Sequence, residues 1–137
     1  MLRPDVTIDQ LHERQQGTLP AHFGLRITEV SEGRAAAEMP IQSWMLAPNG
    51  YLHAASVIAL ADTCAGFATL AHLPEGARSF TTIELKSNFL SSAVEGTVRC
   101  EATADHLGRN TQVWSVTVLA PSGKRMALFR CTQMILS

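Results

Sequence analysis

Charge is scarce in this sequence. Only 17% of its 137 residues are Asp, Glu, Lys or Arg, against 46% hydrophobic, where a soluble chain ordinarily carries about a quarter charged. So thin a supply implies that another subunit covers part of the surface. The 11 Lys plus Arg and 12 Asp plus Glu nearly cancel, to a net charge of −1, and no run of like charge stands out. The basic footprint that phosphate backbones require is missing, so nucleic acid is not expected as a partner. Cysteine is scarce too. Cys64, Cys100 and Cys131 are an odd number without C-x-x-C spacing, and "MLRPDVTIDQ" has no apolar core like that of a signal peptide, so a reducing, cytoplasmic setting is the default. His12, His22, His72 and His106 show no H-x-x-x-H spacing, and no metal is expected. The length suits one domain spanning residues 1–137, long enough to bury a real core.

What the chain does have is one long apolar run, Ala54 to Leu73. It approaches the length of a membrane span, but Asp62 would sit near the bilayer centre at a cost of about 2.5–3.5 kcal/mol, and half the run is Ala, Gly, Thr or Ser. No membrane is expected. Apolar residues lie all the way round, as in a helix enclosed by its own protein, and the alanines would let it lie close against a sheet.

The remainder reads mostly as strands. In "TVRCEATAD", Val98, Cys100, Ala102 and Ala104 alternate with polar neighbours at a period of two. "HLGRN" turns the chain into "TQVWSVTVLA", and "PSGK" turns it into "RMALFRCTQMIL", giving three consecutive antiparallel strands. "SFTTIELKSNFL" alternates Thr82, Glu84, Lys86 and Asn88 against Ile83, Leu85, Ser87 and Phe89, a further strand directly after the helix. Ahead of the helix, "FGLRITEV" and "RAAAEMPI" flank "SEG" as a first hairpin, and "TIDQLHERQQ" is a short helix behind a Thr7 cap. The class is therefore α+β, one long central helix (about 53–72) with an antiparallel sheet wrapped around it.

Several stretches in order, "PAHFGLRI", "AAAEMPI", "NGYLHAASVIALAD", "IELKSNFL", "EGTV", "HLGRNTQVW" and "GKRMALFRCT", resemble the hot dog-fold acyl-CoA thioesterases, the group of the 4-hydroxybenzoyl-CoA and phenylacetate-pathway enzymes. The family pattern is an Asn or Gln, a Gly, then Leu-His-Gly-Gly opening the central helix, with an Asp or Glu nine residues after the His. Gly50, Leu52, His53 and Asp62 stand in that register. The resemblance implies hydrolysis of acyl- or aryl-CoA thioesters with no cofactor, by a homodimer or dimer of dimers whose site takes its acid from one subunit and its His and helix-opening N–H from the other. Geometry agrees: in one helix, nine residues separate two side chains by about 13 Å along the axis and about 180° around it, so His53 and Asp62 cannot meet within one chain.

In that scheme Asp62 is the base or the nucleophile, its desolvated carboxylate made more basic. The N–H of Ala54, at the positive end of the helix, receives the oxyanion and His53 supports the loop. Two departures stand out. The usual Gly-Gly is Ala54-Ala55, which narrows the approach, and the amide that relatives carry six residues before the His is Ala47 here. Asn49 either replaces that amide or only makes a turn. Thr82, where relatives tend to place a hydroxyl that holds water, either does so or is an ordinary strand threonine. Gly66 stands where some relatives have a hydroxyl. Cys64 reads as packing, and Trp44 and Met45 either line an acyl pocket or fill core. For the CoA phosphates, Arg109 beside Gly108 is the first choice and Lys86 and Arg125 follow. Two other readings stay open, a non-catalytic acyl-CoA sensor and an enoyl-thioester hydratase or dehydratase.

Overall fold

The structure, a computed structural model, describes residues 1–137. Thr7 begins it: its hydroxyl accepts from the Gln10 N–H at 3.2 Å while the Gln10 side chain accepts from the Thr7 N–H at 3.0 Å. This reciprocal capping box satisfies two otherwise orphaned donors and opens helix α1, Ile8–Gln15. Thr7→Ala is expected to cost about 0.5–2 kcal/mol, read as a lowered urea midpoint at unchanged slope. A second helical turn that the sequence reading left unassigned, α2 (Leu19–His22), starts on Thr18 with Pro20 in its first turn.

Strands β1 (Arg26–Ser31) and β2 (Arg34–Pro40) form the expected hairpin, then helix α3 (Ala54–Ala71), β3 (Ser79–Phe89), β4 (Thr97–Leu107), β5 (Thr111–Leu119) and β6 (Arg125–Leu136). All six strands join one antiparallel sheet in the order β1-β2-β4-β5-β6-β3. The strand after α3 thus crosses the whole sheet to pair with the last one, and its other edge is unpaired. Helix α3 packs against every strand, the hot dog arrangement that the resemblance implies. Its Leu60, Ala61, Cys64, Ala65 and Ala68 are buried against Ala37, Val98, Cys100, Trp114, Val116 and Phe129 of the sheet. The small residues permit that close approach. By length and composition α3 would suffice to cross a membrane, but here it is the core helix.

Two expectations are corrected. The helix is not enclosed all round: Ile58, Ala59, Asp62, Thr63, Phe67 and Leu70 form a half-buried stripe, spaced at helical intervals. The second correction concerns β3. Thr82 pairs with Gln133 but Glu84 pairs with Thr132, so Ile83 is an extra residue, a β-bulge that reverses the alternation. Beyond it Leu85, Ser87 and Phe89 oppose the core residues Cys131, Phe129 and Ala127. Thr82, opposite buried Gln133, faces the helix with them, instead of lying on the outer face with Glu84, Lys86 and Asn88.

Candidate active site

The loop before α3 is shaped by a tight turn. Ala47 N–H donates to the Tyr51 carbonyl (2.7 Å) and Gly50 N–H to the Ala47 carbonyl (2.9 Å). Gly50 sits at φ +90°, a conformation that side chains with a Cβ resist. Asn49 serves this turn, its Oδ1 accepting from the Tyr51 N–H at 3.1 Å. His53 then caps α3, with φ −67° and ψ 141° and Nδ1 accepting from the Ala55 N–H at 2.8 Å. The carbonyl of His53 takes the N–H groups of Ser56 and Val57. Of the groups at this helix start, the Ala54 N–H has no partner. It opens on a cavity of about 390 Å³ whose walls include Ala47, Asn49, His53, Ala54, Phe89 and Met126.

Asp62 lies two turns further on, in a different cavity of about 250 Å³, with Gln15, Thr18, Phe67, Phe80 and Thr82. The two cavities have no lining residue in common. Within one chain, therefore, the carboxylate and the helix start are separate, as the helical geometry requires. Burial pushes the Asp62 carboxyl above its ordinary value, with the Thr82 hydroxyl beside it acting the other way. The hydroxyl proton itself goes to Gln133 Oε1 at 2.7 Å, Asp62 Oδ1 is buried without a partner, and desolvation is the larger effect. The Cys131 thiol, under the same stretch, is pushed up to about 12 by burial and by the Asp62 and Glu84 carboxylates. A thiol held so high is no nucleophile. Cys64 and Cys100 are also buried and unpaired in disulfides.

Gly66 has a packing reason: a Cβ there would stand 3.0 Å from Phe80 Cζ. Met45 is core, and Trp44 lies on the surface, its ring 4.9 Å from both His22 and Phe23; neither lines the Asp62 or the His53 cavity. The candidate CoA cations are dispersed. Arg109 and Gly108 lie in the β4–β5 turn, whose Asn110 carbonyl bonds the end of β6. Lys86 lies on the outer sheet face, away from α3, beside Arg130. Arg125 adjoins the helix-start cavity, its carbonyl accepting from Ser91 Oγ at 2.9 Å. No three His, Cys, Asp or Glu side chains come together in a way that could hold a metal.

Sequence reasoning missed Gln15. Its Nε2 donates to the Leu25 carbonyl at 2.7 Å, which fixes the amide, and its Oε1 is buried without a partner beside the Asp62 cavity. The signal was Leu11 and Gln15, four residues apart on the inner stripe of α1.

The family model described as the thioesterase superfamily matches residues 49–127. The proofreading thioesterase EntH of Klebsiella pneumoniae is 31% identical over 132 residues, covering 96% of each chain. A mutant thioesterase from Pseudomonas aeruginosa has a similar structure, with a TM-score of 0.92 at 27% identity over 98% of this chain and 97% of that one. A thioesterase from Haemophilus influenzae gives the same TM-score and identity, over 99% and 94%.

Proposed function

The chain belongs to the thioesterase superfamily, and from that premise we propose that it hydrolyses acyl- or aryl-CoA thioesters to free acid and CoA with Asp62 as general base. One observation carries the reading: the only ionisable side chain on the half-buried stripe of α3 is a desolvated carboxylate whose Oδ1 has no partner. The Asp62 carboxylate takes one proton from water as the water oxygen attacks the thioester carbon. The Ala54 N–H of the neighbouring subunit, at its helix start, holds the oxyanion. Collapse then breaks the C–S bond, and the thiolate leaves with the proton that Asp62 received. Thr82, on the helix side of β3, lines the water's position, while Asn49 shapes the corner that presents His53 and Ala54.

A homodimer follows from this division. Its support is the free edge of β3, eleven residues long, with Ile83, Leu85 and Phe89 51%, 39% and 45% exposed. Exposed apolar edges of that length invite pairing with a second copy.

Release of free thiol from a panel of CoA thioesters tests the reading, and absence of release above a heat-killed control across the panel would sink it. The pH dependence tests the base. Asp62 must be ionised to work, so kcat/KM is expected to rise with pH through the raised carboxyl pKa, with a midpoint above 3.8. Acid also acts on stability. His72 is buried and its pKa is lowered from 6.5, chiefly by desolvation; Nε2 accepts from the Gly33 N–H at 2.9 Å. Stability from this neutral ring is complete above 6.5 and is lost as pH falls through its folded value. Circular dichroism at each pH separates the two effects. A flat profile down to pH 4 with the fold intact would argue against Asp62 as base.

A further inference from the structure

Beside the Asp62 cavity lies a second one of about 430 Å³, between α1, the N-terminal segment and the C-terminal turns of α3. Arg14 and Leu70 line both, so the two are neighbours that share a wall. Leu70 is eight residues beyond Asp62, about 12 Å along the helix. Three arginines, Arg3, Arg14 and Arg78, face this second cavity, with Asp5 and Glu13 as its acids. Arg3 is engaged by Asp5 at 3.4 Å. Arg14 and Arg78 have no carboxylate within ion-pair distance.

Both free arginines stand on fixed backbone. Arg14 is in the last turn of α1, which is held by the Thr7 box and by the bond from Gln15 to Leu25. Arg78 N–H donates to the Leu136 carbonyl at 2.9 Å, at the entry to β3. Two guanidiniums without carboxylate partners, both lining one cavity next to that of the carboxylate, suit an anion: each offers a planar fork of donors matched to phosphate or carboxylate.

We propose that Arg14 and Arg78 form the anion subsite of the substrate, holding a charged group of the thioester in the cavity that adjoins that of Asp62. The proposal rests on the reading that the thioester carbon sits at Asp62. The charged group is either a phosphate of the CoA carrier or a carboxylate at the far end of the acyl chain. This assigns the role to residues that composition and turn motifs did not suggest, in place of the dispersed Arg109, Lys86 and Arg125.

Calorimetry with stable thioether analogues tests this without turnover, so its failure is distinct from failure of the hydrolase reading, which thiol release measures. The probes are an S-alkyl-CoA, the same alkyl group on N-acetylcysteamine, and an N-acetylcysteamine thioether ending in a carboxylate. For the Arg14→Gln/Arg78→Gln double variant, affinity is expected to fall roughly tenfold or more for a charged probe, with less difference at high salt. A loss for the CoA probe alone identifies the phosphate. A loss for the carboxylate probe alone identifies the acyl end. The uncharged thioether should bind both proteins equally, and Arg99→Gln, on the opposite sheet face beside Glu38, should bind like the parent. Unchanged affinity for both charged probes, with melting curves showing an intact fold, overturns the proposal.

Discussion

Asp62→Asn is expected to lower kcat by about two to four orders of magnitude, the range that loss of a positioned acid–base group commonly produces. The substitution keeps the shape and removes only the ability to accept a proton. Its effect on stability should run the other way. Asp62 has its folded pKa raised by burial, so ionisation destabilises the native state as pH rises through that value. Asparagine carries no charge to desolvate. At pH 7 the variant should therefore melt no lower than the parent while being nearly inactive, a pairing that unfolding cannot produce. Thiol release and a thermal melt on the same sample check it, and retention of more than a tenth of the parental kcat would remove Asp62 from the base role.

Ala54→Pro is expected to cost about 10²–10³-fold in kcat, as removal of one oxyanion donor does. The change is unusually clean here. Proline is well tolerated at the first position of a helix, the residue before proline must be extended, and His53 already sits at φ −67° and ψ 141°. Only the N–H that lacks an internal partner is lost. The same variant tests the shared site. Mixed with Asp62→Asn and allowed to exchange subunits, half the dimers become mixed, and in each of these one site has both groups intact. About a quarter of parental activity should return. If the base and the oxyanion donor came from one chain, mixing would restore nothing.

Much of this was legible in the chain. The strands after residue 78 announced themselves because half-buried antiparallel strands alternate at a period of two, and α3 because apolar and small residues fill Ala54 to Ala71 with a single carboxylate among them. Asp62 was conspicuous as a lone carboxylate in that run, and helical arithmetic alone separated it from His53. Thr82 shows where such reading stops. Local alternation puts it on the wrong face, since the bulge at Ile83 exists only in the pairing with β6, some fifty residues away in sequence. Asn49 offers a second case: its type suits both a site amide and a turn, and in the fold its Oδ1 accepts from the Tyr51 N–H while the residue also lines the helix-start cavity.

By itself, then, the sequence determined the main helices and strands, the apolar helix bearing one carboxylate, and the separation of His53 from Asp62 along it, because these depend on periodicity and residue chemistry within a few turns. Only the tertiary structure decided that β3 joins β6 at the sheet edge, that Thr82 turns toward the helix, that α1 brings Arg14 and Gln15 to the Asp62 cavity, and that one stripe of α3 is left half-covered. Those outcomes are contacts between segments far apart in the chain, where register and packing set which side chains meet, and no local pattern encodes them.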